Sequence, residues 1–336
     1  MPDVAAEKGA GRGGRGRMVL TAVGLSMTGL ALFYLVHTFT GSAEKAGGAA
    51  NLFSFDPLLF AVSMLILMLH LMTAALTWQL VCRRAGARIT YRQAFNVHFL
   101  AQVGKYIPGK IWGAIGKVGL SRTVGMTSLQ TGHALLLEAL LILSGCLIVS
   151  VPVVPVAAAE VGLGTPVAVA VVLAAALAVI FTAHPGAFRR VTVVARKLTG
   201  RTLDFEDTGF AGVLGLLPLY VVLFLTQGVA FVVLARSFGL DLPWFPGAFL
   251  MPTAVGVGFL MLLSPGGLGV REVSLVWLIG LTVPGTDPGL STLVSLAALL
   301  WVTLGEAVAF VMALGWLGWR RAFRMLGDLR EKREPS

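Results

Sequence analysis

Charged residues are scarce in this sequence. Asp, Glu, Lys and Arg together make up 12% of the 336 residues, whereas about a quarter of a typical soluble chain is charged. Hydrophobic residues make up 57%, and the mean hydropathy is +0.86. Because apolar stretches of about 20 residues are the signature of bilayer-spanning helices, this balance excludes a soluble globular domain and indicates a polytopic α-helical membrane protein.

Residues that carry chemistry in enzymes are also few. The two cysteines, Cys82 and Cys146, lie in apolar stretches without metal-site spacing, which is typical of small core residues. The five histidines show no paired ligand spacing, and there is no nucleophile elbow or Walker loop. The sequence therefore predicts no metal and no cofactor, and it favours a transport or binding role over an enzyme.

Apolar stretches of spanning length recur along the chain. Six of them are predicted to cross the bilayer: 18–40, 57–82, 127–151, 166–183, 209–235 and 290–318. The first is longer than the roughly 7–15 apolar residues of a secretory signal, so we interpret it as an uncleaved span. The predicted fold is an all-α transmembrane bundle. Its predicted divisions are a basic tail at 1–17, a membrane domain at 18–319 and a second basic tail at 320–336.

Two further segments combine helix breakers with charge. The first, at about 94–122, contains Pro108-Gly109, and the second, at about 245–283, contains Pro265-Gly266. Each is either a re-entrant hairpin or a pair of spans. Lipid cannot satisfy free backbone N–H and C=O groups, so a broken helix at membrane depth must be buried in protein or line a wet cavity. These segments are therefore the predicted functional site.

Basic residues fall almost entirely on one side of this topology. Of the 26 lysines and arginines, only Lys45, Arg236 and Arg271 lie elsewhere, and Lys117 in the first broken segment is counted with the majority. Because cationic loops are retained in the cytoplasm, both termini are predicted to be cytoplasmic, in a bacterial-type inner membrane. The same topology explains the net charge of +10. A nucleic-acid-binding role is not indicated, since no base-stacking motif accompanies these cations.

The order of the elements repeats along the chain. Span, span, broken segment and span follow one another twice, first from the cytoplasm and then from outside. If both broken segments are re-entrant, the halves form an inverted-topology repeat, in which paired Gly/Pro-interrupted segments mark a transporter's substrate site. Pro108-Gly109 and Pro265-Gly266 would then meet near the middle of the bilayer. The alternative is a chance similarity of element order.

The first broken segment carries the parts of an anion site. Lys105, Lys110 and Lys117 bracket Pro108-Gly109, and a new helix is predicted to begin near Lys110, where its free N–H groups favour an anion. Tyr106 and Trp112 suit the interface between acyl chains and headgroups. The alternative is that the lysines are topology signals and the aromatics belong to an interfacial belt.

Charges also occur in the second broken segment and in the spans that follow both segments. Arg271 and Glu272 are adjacent on a helix, so they are expected to point towards different partners. Arg271 either binds a lipid phosphate or clamps Glu138 or Glu306. These two carboxyl groups lie inside spans, where they either counter Arg271, receive an amino headgroup, conduct protons or hydrogen-bond between helices.

Two runs, Lys105-Tyr106-Ile107-Pro108-Gly109-Lys110-Ile111-Trp112-Gly113 and Pro265-Gly266-Gly267-Leu268-Gly269-Val270-Arg271-Glu272, resemble the lysylphosphatidylglycerol synthetase transmembrane-region family. This family is the flippase-like membrane module of multiple peptide resistance factors and also occurs as stand-alone membrane proteins. The resemblance covers nearly the whole chain and implies a polytopic α-helical fold. It also implies a role in moving charged phospholipids between leaflets, or in the membrane part of a glycosyltransferase system.

The sequence departs from that family's best-known members in two places. Only residues 320–336 follow the last span, where the complete resistance factor has an aminoacyl-transferase domain, so no lipid aminoacylation is expected. Glu138-Ala139 stands where many relatives have Glu-Arg, so no role that needs that arginine is expected.

The functional hypothesis is a translocator that moves an anionic or amino-headgroup phospholipid, or a polyprenyl-phosphate lipid, between leaflets. The alternative is an accessory or catalytic component of lipid-linked glycosyl transfer, working with glycosyltransferase or cell-envelope partners. The candidate substrate-binding residues are Lys105, Tyr106, Pro108, Gly109, Lys110, Trp112, Glu138, Pro265, Gly266, Gly267, Gly269, Arg271, Glu272 and Glu306.

Overall fold

The structure, a computed structural model, describes residues 56–102, 111–162, 215–260 and 269–317, with residues 37, 40 and 104 and parts of 164–177. All regular structure in these ranges is helical. The helices are α1 (Pro57–Arg84), α2 (Tyr91–Gln102), α3 (Ile111–Thr123), α4 (Ser128–Ser150), α5 (Val154–Glu160), α6 (Leu217–Ser237), α7 (Trp244–Leu260), α8 (Val270–Thr282) and α9 (Pro288–Leu317). The predicted spans 18–40 and 166–183 lie largely outside the described residues, and both predicted tails lie wholly outside them.

Helices α1, α4, α6 and α9 are long and apolar enough to cross a membrane. They contain 28, 23, 21 and 30 residues. At about 1.5 Å per residue each reaches the roughly 30 Å of a hydrocarbon core. The predicted spans 57–82, 127–151, 209–235 and 290–318 are thus confirmed as helices of spanning length.

Local sequence explains where two of these helices begin. Asp56 caps α1, because its carboxylate accepts hydrogen bonds from the N–H groups of Leu58 and Leu59 at 2.8 and 3.0 Å. Thr127 and Gln130 form a capping box at the start of α4, in which each side chain binds the other residue's backbone N–H. These caps satisfy N–H groups that have no partner inside the helix.

The first broken segment is a helical hairpin made of α2 and α3. These helices contain 12 and 13 residues, so each is about 18–20 Å long and too short to cross the bilayer. A Cβ atom on Gly104 would lie 2.7 Å from the backbone N of Gly113, and one on Gly116 would lie 3.5 Å from the Cα of Ala101. Both pairings bring the end of α2 to the start of α3, so the two helices run antiparallel.

The second broken segment is also a pair of helices in contact. Helix α7 has 17 residues and packs against α8, which has 13. The breaks that the sequence predicts in both segments are therefore confirmed. The residues that join the helices, 105–110 in the first pair and 261–268 in the second, lie outside the described residues.

Hydrogen bonds fix the direction of the long helices. The N–H of Asp56 donates to the carbonyl of Ser237 at 2.8 Å, and Nδ1 of His70 donates to the carbonyl of Leu223 at 2.9 Å. Helix α1 therefore runs antiparallel to α6. The side chain of Gln130 donates to the carbonyl of Gly86 at 2.9 Å, which places the start of α4 beside the end of α1. The two hairpins consequently enter the bundle from opposite ends.

The two ends differ in charge. At the end where α1 stops, which we call the arginine-rich end, the described charged residues are all arginines: Arg83, Arg84, Arg88, Arg92 and Arg122. The opposite end carries one described cation and four carboxylates: Arg236, Asp56, Glu160, Asp241 and Asp287. Arg236 there pairs with Asp241 at 3.4 Å and lies over the ring of Trp244. This separation agrees with the predicted clustering of cations.

The packing of the bundle is symmetric about the α1–α6 pair. Helix α2 contacts α1, α3 and α9, and helix α7 correspondingly contacts α6, α8 and α4. Helix α4 packs on α3 and α6, and α9 packs on α8 and α1. Exchanging α1–α4 for α6–α9 therefore reproduces the principal contacts. Two apolar clusters form the core, and α1 and α6 contribute to both.

Candidate functional site

A buried ion pair joins the first hairpin to the span that follows it. Nζ of Lys117 on α3 donates to both carboxylate oxygens of Glu138 on α4, at 2.8 and 2.7 Å. Each side chain is only 11% exposed. Glu138 lies near the middle of α4, about 15 Å along the helix axis from its first residue at ~1.5 Å per residue. The pair therefore lies at membrane depth.

Two further helices complete the surroundings of this pair. The ring of Trp78 on α1 lies 3.8 Å from Nζ of Lys117, which is a cation–π contact. Nδ1 of His98 on α2 lies 3.8 Å from Oε1 of Glu138, and Nε2 of His98 lies 3.4 Å from Nε2 of Gln102. We call Trp78, His98, Lys117 and Glu138 the buried charge cluster.

The buried charge cluster holds an ammonium group between a carboxylate and an aromatic face. Such an arrangement lowers the cost of keeping a charge away from water, because each charge has a partner with good geometry. It also resists the separation of α3 from α4, since parting them leaves two unpaired charges. The cluster therefore holds the hairpin in place, and the pair must break if the hairpin moves against α4.

This arrangement tests two expectations. Lys117 was counted with the cytoplasmic cations, but it lies buried in the bundle and neutralises Glu138. Of the alternatives for Arg271, the structure does not show the clamp to Glu138, because Lys117 pairs with that carboxylate and Arg271 pairs with Glu272. A lysine that interrupts an apolar segment indicates a charge with a partner, but the sequence does not identify that partner as Glu138.

Arg271 and Glu272 form a second ion pair at the start of α8. The carboxylate of Glu272 accepts from Nε and Nη2 of Arg271 at 2.8 and 2.6 Å and from the N–H of Gly269 at 2.6 Å. Gly269 has φ +83°, which a residue with a side chain rarely adopts. The hydroxyl of Ser295 on α9 donates to the carbonyl of Glu272 at 2.8 Å.

The expectation that Arg271 and Glu272 point to different partners is therefore also wrong. Glu272 turns back to cap its own helix, so its carboxylate lies at the helix N-terminus, where the neighbouring guanidinium reaches it. Glu272 is 1% exposed. The pair therefore stabilises the first turn of α8, the second helix of the second hairpin.

The other candidate residues are dispersed or lie outside the described residues. Glu306 on α9 is buried and interacts electrostatically with His70 on α1. Trp112 is half-buried in the first turn of α3, next to the hairpin tip. The structure describes no placement for eight candidates, whose roles stay predictions: Lys105, Tyr106, Pro108, Gly109, Lys110, Pro265, Gly266 and Gly267.

Helices of spanning length, two interrupted helix pairs and charges at membrane depth define a multi-pass membrane protein. The sequence matches the family described as the lysylphosphatidylglycerol synthase TM region over residues 19–307. The chain therefore belongs to this family, which relates it to membrane phospholipid, and the expected resemblance is confirmed. No curated protein matches the chain.

Proposed function

We propose that this protein is a lipid translocator that moves a phospholipid or a polyprenyl-linked lipid between the two leaflets. The observation that carries the proposal is the pair of interrupted helical hairpins that enter the bundle from opposite ends. Neither a scaffold nor a simple anchor requires such interruptions, which expose backbone groups that lipid cannot satisfy.

The hairpins support an inverted repeat. Helices α1 and α6 are antiparallel, and each is followed by an interrupted helix pair and then by a span. Exchange of the two halves reproduces the principal packing contacts. In transporters with this architecture, paired Gly/Pro-interrupted segments lie at the substrate site near the bilayer middle. We assign that role to the connections between the two helices of each pair, where the sequence has Pro108-Gly109 and Pro265-Gly266.

A lipid headgroup needs polar partners along its path, whereas its acyl chains can remain in the bilayer. The tip of the first hairpin supplies Lys105 and Lys110 in the sequence, and the buried charge cluster follows within the same half of the protein. Arginine guanidinium and lysine ammonium groups attract phosphate. Since cationic segments are retained on the cytoplasmic side, we assign the arginine-rich end and both termini to the cytoplasm.

The test is reconstitution of the full chain into vesicles that contain headgroup-labelled lipids, followed by a leaflet-selective quencher. A translocator makes nearly the whole label accessible, whereas empty vesicles leave the inner-leaflet half protected. The double variant Lys105→Gln, Lys110→Gln is expected to slow exchange with the fold intact. Arg84→Gln with Arg88→Gln removes the same charge from the arginine-rich end, away from the hairpin tip, and serves as the matched control.

Two outcomes contradict the proposal. Accessible label that never exceeds the level of empty vesicles, with well-folded protein and every lipid tested, overturns translocation. A new glycolipid formed with a sugar nucleotide, without leaflet exchange, supports a role in lipid-linked glycosyl transfer instead.

A further inference from the structure

A cavity of about 300 Å³ lies between the first hairpin and the end of α9. Its polar lining comes from Arg92, Gln93 and Asn96 on α2 and from Thr123 on α3. Its remaining lining is apolar or aromatic: Val97, Leu100, Leu120, Val124, Trp316 and Leu317. At about 30 Å³ per water molecule, the space holds a small headgroup and the first atoms of its chains.

The cavity lies at the arginine-rich end, where the described residues include no carboxylate. Arg92 belongs to the cavity wall, and one of its Nη atoms donates to the carbonyl of Trp316 near the end of α9. That bond uses one of the five donors of a guanidinium and holds the side chain beside the cavity. The other donors leave Arg92 able to take a phosphate.

Asn96 provides a second, independent indication of a ligand. It lies one helical turn beyond Arg92 and is 8% exposed. Its Oδ1 atom is buried without a hydrogen-bond partner although the residue lines the cavity. A buried amide oxygen without a partner is costly, and most such atoms in proteins are paired. A donor group in the cavity removes that cost once the Asn96 side chain turns its Oδ1 towards the cavity.

We propose that this cavity binds the headgroup of an anionic phospholipid that carries a hydrogen-bond donor, from the leaflet at the arginine-rich end. Arg92 binds the phosphate, Asn96 Oδ1 accepts from a hydroxyl or amine of the headgroup, and the apolar wall receives the start of the acyl chains. The inference deepens the proposed function, on which it rests, by naming the site where the lipid enters.

The test measures binding of two water-soluble lipids to the full chain in detergent by titration calorimetry. Dioctanoyl phosphatidylglycerol and dioctanoyl phosphatidylmethanol have the same charge and chains, but only the first has headgroup hydroxyls. We expect the glycerol lipid to bind more tightly to the unaltered protein. Arg92→Gln is expected to raise the Kd of both lipids about tenfold, since it removes a charge-assisted hydrogen bond. Arg84→Gln removes the same charge outside the cavity and is expected to change Kd less than twofold.

Asn96→Leu tests the selectivity separately. Leucine has the same branching and number of side-chain heavy atoms as asparagine and replaces an unpartnered amide by an apolar group, so the variant is expected to fold. It should bind both lipids equally, because only the donor contact is lost. Equal effects of Arg92→Gln and Arg84→Gln, or an unchanged preference in Asn96→Leu, overturn the proposal.

Two further measurements complete the test. The first distinguishes a lipid phosphate from free phosphate, and the second distinguishes failure of this site from failure of the proposed translocation. Inorganic phosphate at the same concentration is expected not to displace the lipid; displacement with matching affinity would make this a site for free phosphate and overturn the lipid assignment. Selective binding without leaflet exchange in the vesicle assay would refute translocation and leave this site standing. Exchange that Arg92→Gln leaves unaltered, with no measurable binding, would refute this site alone.

Discussion

Removal of one partner from the Lys117–Glu138 pair should destabilise the protein far more than removal of both. At 2.7 Å and an effective dielectric constant of about 20, the attraction between two unit charges is about 6 kcal/mol. Desolvation of the two ions offsets much of this attraction. The charge that remains after a single substitution has no such compensation, so Lys117→Met or Glu138→Gln alone is expected to cost about 3–5 kcal/mol.

The double variant Lys117→Met, Glu138→Gln leaves no unpaired charge and is expected to lie within about 1–2 kcal/mol of the unaltered protein. At roughly 2.1 cal/mol/K of unfolding entropy per residue, a chain of 336 residues shifts by about 1.4 °C per kcal/mol, so each single variant should melt about 4–7 °C lower in detergent. The measurement is the melting temperature of the four proteins at one detergent concentration.

These four proteins form a double-mutant cycle. A second double-mutant cycle, with Arg271→Met and Glu138→Gln, is the control. Arg271 pairs with Glu272 and not with Glu138, so those two effects should add within about 0.5 kcal/mol, as they do for sites without shared partners. Additive effects in the Lys117–Glu138 cycle would refute the reasoning, because charges that meet at hydrogen-bonding distance in a buried site must show coupling.

Two other predictions concern topology and packing. A cysteine at Gly162, near the end of α5, should react with an impermeant reagent in intact cells and one at Ser336 should not; labelling at Ser336 alone would reverse the assigned orientation. Gly228→Ala should destabilise the protein by about 1–3 kcal/mol, since the added Cβ would overlap the carbonyl of Ala248 where α6 meets α7. Gly132→Ala, where a Cβ meets nothing within 4 Å, is its control and should be neutral or stabilising, and equal melting temperatures of the two variants would contradict the close approach.

Helices of spanning length were predictable because hydropathy depends on one stretch of sequence at a time. The same holds for the breaks, since Pro and Gly disrupt a helix wherever it lies. The end of α2 and the start of α3 meet at Gly104 and Gly113, where residues without side chains permit close approach. The sequence predicts the break there, but the antiparallel pairing depends on contacts that no local rule supplies.

Partners of the buried charges were not predictable in the same way. Lys117 and Glu138 belong to consecutive helices, and their pairing depends on how α3 turns against α4. Arg271 binds its neighbour because Gly269 turns the chain and Glu272 folds back to cap α8. Helical geometry alone directs adjacent side chains apart, so the cap reverses the expectation from spacing.

The two ion pairs differ in what they resist, although the two halves of the bundle pack alike. The Lys117–Glu138 pair connects a hairpin to a span, so a movement of α3 against α4 separates opposite charges at membrane depth. The Arg271–Glu272 pair lies within α8, so α8 can move as a unit without breaking it. Near this pair, the described hydrogen bond between α8 and α9 is the one that Ser295 donates to the carbonyl of Glu272. It joins two neutral groups. Of these two static arrangements, only the first joins a hairpin to a neighbouring span through a buried ion pair, so we expect substitutions at Lys117 or Glu138 to loosen the packing of α3 on α4 more than substitutions at Arg271 loosen the packing of α8 on α9.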